Sequence, residues 1–404
     1  MIFVSSLAFK ATAQAAGLDF VAFTGNADFD AADPRAFPNR ADARPGPEQI
    51  DFDIRYLFAD PIQEQYRTLQ ALLREADRER PGRPVVLLHD TVFMGIWPVL
   101  LGAPGIRPGG VIGIGVNPLT LRSIDTAPFG FGLPPDSSVE GRARNEGLNA
   151  MVENELFAQA QAHLCGVLTA TGAEVRPPFI FDGFVSMPDR FLQLSISDLE
   201  YERSDAPAGL RFAGALRAAA PPFVAPSWWE NVLDAKKLVV VTQGTIANRD
   251  FDELIVPTLR ALEGMDVVVV AVTGRSDANL GAIPSNAYVA DFIPFDHLLP
   301  HADVLVSNGG YGGVQQALVH GVPLVLAGES EDKIEVTART AYTGAAINLA
   351  TGKPSIEALR SAVNRVLHES AFLLHARRLQ AKYRTLDVFA EVSAAVEELA
   401  RDAS

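Results

Sequence analysis

The run Ser307-Asn308-Gly309-Gly310-Tyr311-Gly312-Gly313 carries the densest chemistry in the chain. It follows the apolar stretch Val304-Leu305-Val306 and precedes a helical pattern from Val314 to His320. Four glycines at a strand-to-helix turn expose consecutive backbone N–H groups at the positive end of a helix, which suits a diphosphate. A second turn, Thr242-Gln243-Gly244-Thr245, closes another apolar run. There the glycine permits close approach, and two hydroxyls can donate to phosphate. Thr273 closes a third such run and joins the same binding set. Glycines can also serve only to make tight turns. The place of the seven-residue run, after a buried strand and before a helix, favours the phosphate reading.

Other reactive groups point to less. His89 and Asp90 end the PVVLL run, but adjacent strand residues face opposite ways, so the two are poorly placed to pair. Packing or surface exposure accounts for His89 more simply. His163, His301, His320, His368 and His375 fall in helical or connecting segments and receive no catalytic role, and His297 reads as a helix N-terminal residue near Phe292. No histidine pair four residues apart accompanies a carboxylate in the manner of a zinc site. Cys165 is the only cysteine, which excludes a disulfide framework and a cysteine-rich metal site.

The elements that must position these residues alternate. In the second half, Leu238 to Thr242, Val267 to Val272, Ala287 to Phe292, Val304 to Ser307 and Pro323 to Leu326 read as strands, with helices between them. That rhythm predicts a parallel, doubly wound α/β sheet, with ligands outside the carboxyl ends of its strands. In the first half, Ile2 to Val4, Leu18 to Phe23, Pro84 to Leu88 and Val111 to Val116 read as strands. Helices are predicted over Leu7 to Ala16, Ile54 to Glu79 with a break near Pro61, and Ala143 to Leu168, and Glu357 to Ala400 is expected to be helical throughout. Residues 25–51 read as a long surface loop, Pro118 to Ser138 as irregular, and Arg203 to Pro226 as rich in Pro, Ala and Gly. A chain of 404 residues, 48% hydrophobic and 21% charged, has material for two cores. Its net charge of −15 argues against nucleic acid or an anionic membrane as partner, and no apolar run is long enough to span a bilayer.

Asp291-Phe292-Ile293-Pro294, followed by SNGGYGGVQQALVHGVPLVLAGESEDK from Ser307 to Lys333, resembles the donor-binding signature of the family 1 UDP-glycosyltransferases, which have the GT-B fold. The resemblance implies a nucleoside-diphosphate sugar as donor, and transfer with inversion and without a metal. It places Phe292 where a tryptophan stacks on the base and Phe295 at the following glutamine. Asn308 stands at the histidine that touches the diphosphate, and Gly313 at a phosphate-binding serine, with Gly309, Gly310 and Gly312 completing the turn. Gln316 stands at the glutamate that holds the ribose, and Asp332-Lys333 at the Asp-Gln pair that reads sugar hydroxyls. Lys333 thereby brings a cation near the sugar or phosphate. Glu329, Glu331 and Glu335 read as further hydroxyl acceptors, with a solvated helix turn as the plain alternative for Glu331 and Glu335. The NGGYGG and ESEDK form is similar to a bacterial branch acting on small lipophilic acceptors or building rhamnosides.

The family's general base is a histidine in a Gly-His turn after the first strand, oriented by an aspartate that Asp90 matches. Met1 to Ser6 resembles the family's second strand, which would put that turn upstream of Met1. Either the histidine lies upstream, or the chain has lost its base. Exposure of a central strand's neighbours argues for the former. Residues 1–222 are expected to form an N-terminally incomplete, acceptor-binding Rossmann-like domain, lined by the 25–51 and Pro118 to Pro135 segments. Residues 236–404 are expected to form the donor domain across a cleft, with the linker near Pro221 to Ser227 and the last helix free to pack back. The resulting expectation is an inverting transferase moving a sugar from a UDP- or dTDP-sugar to a small, lipophilic acceptor. It would be cytoplasmic, monomeric or homodimeric, and without metal. A base-less nucleotide-sugar-binding accessory protein is the alternative, and a hydrolysing sugar-nucleotide epimerase a third reading.

Overall fold

The computed structural model describes residues 1–403 except 31, 32, 34, 45, 218–221, 245–247 and 249, and leaves the side chain of residue 41 aside. Thr245 and Pro221 therefore lie outside the described residues. The second half builds one six-stranded sheet. Its strands are β7 (Leu238–Thr242), β8 (Val268–Val272), β9 (Ala287–Ala290), β10 (Val304–Ser307), β11 (Leu324–Leu326) and β12 (Ala346–Asn348). They lie in the order β12-β11-β10-β7-β8-β9, and every pairing is parallel. The chain starts in the middle at β7 and runs outward through β8 and β9. It then returns to β10 beside β7 and runs outward the other way. This is the doubly wound order, and its switch point lies between β7 and β10.

Burial explains why these strands were visible as unbroken apolar runs. Val239, Val240 and Val241 have no exposed surface, nor do Val304, Leu305 and Val306. Helices cover both faces, so neither face of a strand can be polar. Val240 and Leu305 enter one core, and Val239 and Val306 enter the other. Removing each such side chain from water contributes about 1.5–3 kcal/mol. The first core also takes Ile196 and Leu199 from the first half of the chain.

The first half contains two separate parallel sheets. One pairs β1 (Ile2–Ser5) with β2 (Asp19–Ala22). The other runs β3 (Val86–Asp90), β4 (Gly110–Gly115), β5 (Arg190–Gln193), β6 (Leu210–Phe212). Among the described residues, β1 and β3 each keep one edge without a strand partner. Ile2 and Phe3 on β1 and Leu88 on β3 are exposed.

The helices include α1 (Lys10–Ala15), α2 (Ile62–Glu79), α3 (Val139–Met151), α4 (Ala158–Ala170), α5 (Ile255–Leu262), α6 (Tyr311–His320), α7 (Lys333–Tyr342), α8 (Ile356–His368), α9 (Ser370–Tyr383) and α10 (Val388–Asp402). The helix expected from Ile54 is instead a π-helical stretch, Asp53–Ala59, that gives way at Pro61 to α2. A proline cannot donate the interior hydrogen bond, so the break falls there. The helix expected from Ala143 likewise divides at a π-helical segment, Val152–Leu156. The C-terminal helical region is three helices, with a break at Glu369 and another between Tyr383 and Val388. Its last member, α10, packs against β4 and β3. There Glu398 accepts from Arg211 Nη1 at 2.8 Å and also pairs with Arg190.

Candidate donor site at the switch point

The carboxyl ends of β7 and β10 meet side by side, with Thr242 in register with Ser307. The loops that leave them are joined by Asn308, whose Nδ2 donates to the Gln243 carbonyl at 2.6 Å. Gln243 is buried, and its side chain is spent locally, donating to Asp250 O and accepting from Ile255 N. Thr242 Oγ1 accepts from Gly244 N at 3.2 Å. Thr273, at the end of β8, is also buried, and its hydroxyl donates to Arg275 O at 2.8 Å. Thr273 is therefore not among the groups free to meet a phosphate. Its hydroxyl holds its own turn.

Gly309 has φ +84°, and a Cβ there would stand 2.5 Å from Thr337 Cγ2 on α7. Only glycine fits both the left-handed backbone and the close approach. Beyond it Gly310 occupies the N-cap of α6 and has no side chain with which to cap the turn. The amides of Tyr311, Gly312 and Gly313 fall in the first turn of α6, where no intrahelical acceptor exists. Among the described residues, nothing beyond the helix itself comes within 4 Å of where a Cβ would stand at Gly310, Gly312 or Gly313. A helix start whose first amides have no intrahelical acceptor and no side-chain cap is suited to an anion. Tyr311 is the exception to that openness. Its buried ring turns away, and its Oη accepts from Gln193 Nε2 at 3.1 Å, so β5 steadies the turn from the other half of the chain.

Around this turn stand three further groups. Phe292, two residues after β9, is 64% exposed, an unusual state for a phenyl ring that leaves a face free for stacking. Gln316 is exposed one turn along α6 from Gly312. Asp332 is the half-buried N-cap of α7, and burial pushes its carboxyl above the ordinary value, with Lys333 opposing the shift.

Lys333 departs from expectation. It is buried, and its Nζ donates to Ser330 Oγ and to the Glu331 carboxylate, so its charge is neutralised within the loop. Glu331 adopts φ +56°, an uncommon conformation for a residue with a side chain. Glu335 departs further. It is buried, and both its oxygens are engaged, which removes it from the hydroxyl acceptors and from the solvated helix turns alike.

Comparison with known proteins decides the family. Residues 253–399 match the family model for the erythromycin biosynthesis protein CIII-like C-terminal domain. A UDP-glycosyltransferase 2 of Phaeomoniella chlamydospora is 43% identical over 98% of this chain and 89% of its own length. The chain belongs to the UDP-glycosyltransferase family. A UDP-glucosyltransferase A1 of Starmerella bombicola is 37% identical, covering 98% of this chain and 85% of its own. The crystal structure of the glycotransferase of kitacinnamycin superposes with a TM-score of 0.68 at 22% identity, over 98% of this chain and 91% of that one. That likeness gives the fold, GT-B. This glycosyltransferase therefore moves a sugar from a nucleotide sugar, and the accessory-protein alternative is not favoured.

In the transferase, Asp90 is exposed at the end of β3, and its Oδ1 accepts from Val92 N at 2.9 Å and Phe93 N at 3.0 Å. His89 points inward. Its Nδ1 lies 2.6 Å from the Asp90 carbonyl rather than the carboxylate, and burial lowers its pKa. His163 Nε2 meets Asp60 Oδ1 at 2.6 Å, a contact between α4 and the segment before α2. His297 stacks on Phe223. Among the described residues no three His, Cys, Asp or Glu side chains gather as a metal site, and no helix is long and apolar enough to cross a membrane.

Proposed function

We propose that this transferase is an inverting enzyme that seats the diphosphate of a UDP- or dTDP-sugar on the first turn of α6. The observation that carries the reading is the uncapped first turn of α6, with the amides of Tyr311 to Gly313, at the switch point. As the bond from the sugar to the diphosphate breaks, these dipoles stabilise the charge on the leaving group, so transfer needs no metal ion. Phe292 stacks on the base, Gln316 binds the ribose, and Thr242, Gly244 and Asn308 shape the loop beside the phosphates. Thr245 belongs to that loop by its place in the sequence. Asp332 accepts from sugar hydroxyls. The acceptor, a small lipophilic alcohol or phenol, enters from the side of segment 118–135 and residues 25–51, within the N-terminal unit 1–222, and the donor is held by residues 236–404. Asp90 takes the place of the aspartate with which the family orients its histidine base. The protein works in the cytoplasm as a monomer or homodimer.

The test is turnover with a panel of UDP- and dTDP-sugars and hydroxylated aromatic acceptors, read by mass spectrometry. One added hexose or deoxyhexose per acceptor, with release of nucleoside diphosphate and no loss on adding a chelator, is the expected result. Free sugar as sole product, or epimerised free sugar, would overturn it.

Two substitutions sharpen the assignment. Stacking of a base on an aromatic ring is worth about 1–3 kcal/mol. Phe292→Ala is therefore expected to weaken nucleotide binding about fivefold to 150-fold, measured by calorimetric titration, with the melting temperature unchanged because the ring covers little. For Asp332, the raised pKa means that the folded state disfavours the ionised form. Stability then falls as pH rises from the ordinary carboxyl range through the raised value. Asp332→Asn should raise the melting temperature at pH 7, and the gain should shrink towards acid pH. It should also cost about tenfold to a hundredfold in kcat/KM through the lost charged hydrogen bond, while nucleotide affinity holds.

A further inference from the structure

Glu335 lies in the first turn of α7, three residues after Asp332, and is 3% exposed. Its Oε1 accepts from the backbone amides of Gly130 and Gly132, each at 2.8 Å. Its Oε2 lies 3.2 Å from Arg339 Nη2. Arg339, 4% exposed, continues the chain of contacts. Its Nη1 is 3.1 Å from Glu200 Oε2, and its Nη2 donates to the Leu119 carbonyl at 3.0 Å. The helix with Asp332 at its head is thus fastened to segments 119, 130–132 and 200 of the other half.

The fit at the loop is close. Gly130 and Gly132 have φ +99° and +60°, and a Cβ at Gly132 would stand 2.7 Å from Ile334 Cγ2. The FGFG segment, Phe129 to Gly132, therefore rests directly on α7 without an intervening side chain. Glu200 and Glu335 face Arg339, with Arg203 Nη1 3.6 Å from Glu200, so the buried charges balance. Removing one member would strand another away from water.

We propose that Glu335 is a positioning residue that ties the acceptor-side loop to the helix reading the donor sugar, so that seating the donor orders the loop. The proposal rests on the reading above that Asp332 meets the sugar and segment 118–135 the acceptor. A carboxylate shared between two loop amides and an arginine on the donor helix transmits a shift of α7 directly to the loop backbone. The loop, whose Phe131 packs on the first-half core and whose Phe129 meets Phe181, is then held more tightly when the donor is bound.

The test is hydrogen exchange at the Gly130 and Gly132 amides of the full chain, with and without saturating UDP-glucose, alongside UDP affinity. In the parent, UDP-glucose should slow exchange at both amides at least threefold. In Glu335→Gln, where the amide group faces Arg339, exchange without ligand should be at least tenfold faster. The slowing by UDP-glucose should vanish there, while UDP affinity stays within threefold. Gly132→Ala, which drives a methyl into Ile334, should reproduce the faster exchange and the lost response if Glu335→Gln fails to fold. Parent exchange that ignores a bound donor, or a variant loop that exchanges as the parent does, would overturn the proposal. A lower melting temperature with the donor response intact would do the same, since Glu335 would then be structural only. Should the parent bind no UDP-glucose, the donor-site reading fails by itself, and the exchange rates without ligand decide whether the tie exists.

Discussion

Replacing Gly312 with aspartate is expected to stabilise the protein and abolish nucleotide binding at the same time. Gly312 is exposed in the first turn of α6, and a Cβ there meets no other part of the described structure. An aspartate at that place has the better helix propensity and favours the positive end of the dipole, together about 0.5–1 kcal/mol. The same carboxylate would stand where the diphosphate binds. At about 5 Å and an effective dielectric of about 20, the repulsion is about 3 kcal/mol per phosphate charge, more than a hundredfold in Kd. Thermal melting and calorimetric titration of UDP and dTDP separate the two effects. A variant that melts higher and still binds as the parent does would place the diphosphate elsewhere. Because stability and binding move in opposite directions, misfolding cannot imitate the result.

The second large effect is expected at Asp90. Its Oδ1 caps the turn after β3 through Val92 and Phe93, and an asparagine keeps that acceptor in place. Asp90→Asn thus removes a charge and leaves the turn. If Asp90 orients and charges a histidine base, losing the carboxylate lowers kcat by about 10²–10⁴-fold. Nucleotide affinity should not change, because β3 and the α6 turn belong to different sheets. Pre-steady-state and steady-state rates with the best acceptor check this. A kcat within twofold of the parent would show that Asp90 serves the turn alone.

Much of the donor half was legible because its physics is local. A strand buried on both faces must be apolar throughout, and β7, β8 and β10 read as such runs. The glycine run showed where β10 ends. Strand β12, three residues long, left no such signature, nor did β6, also three residues, within a stretch read as Pro, Ala and Gly rich. The π-helical turns at 53–59 and 152–156 were hidden because their apolar spacing differs little from that of an α-helix.

The site was legible in outline and illegible where partners are distant in sequence. Glu335 looked like one of several carboxylates near a helix start, yet its partners Gly130 and Gly132 lie 205 and 203 residues away. Lys333 looked like a free cation, and a left-handed turn at Glu331 instead folds a carboxylate back onto it. The hydroxyl of Thr273 was hidden for a similar reason, since only the turn geometry shows that Arg275 O takes it. Residue type announced what each group could do, and the fold decided which groups remained free to do it.

The seat of the diphosphate on the first turn of α6 is tested by titrating UDP and dTDP into protein labelled with ¹⁵N-glycine and following the amide resonances. The chain has 32 glycines spread over both halves, so the label reports on the whole molecule. Gly310, Gly312 and Gly313 are expected to shift furthest, with Gly244 and Gly309 next, while the glycines of β4 stay still. Largest shifts at Gly110, Gly113 and Gly115, with the 309–313 turn unmoved, would contradict it.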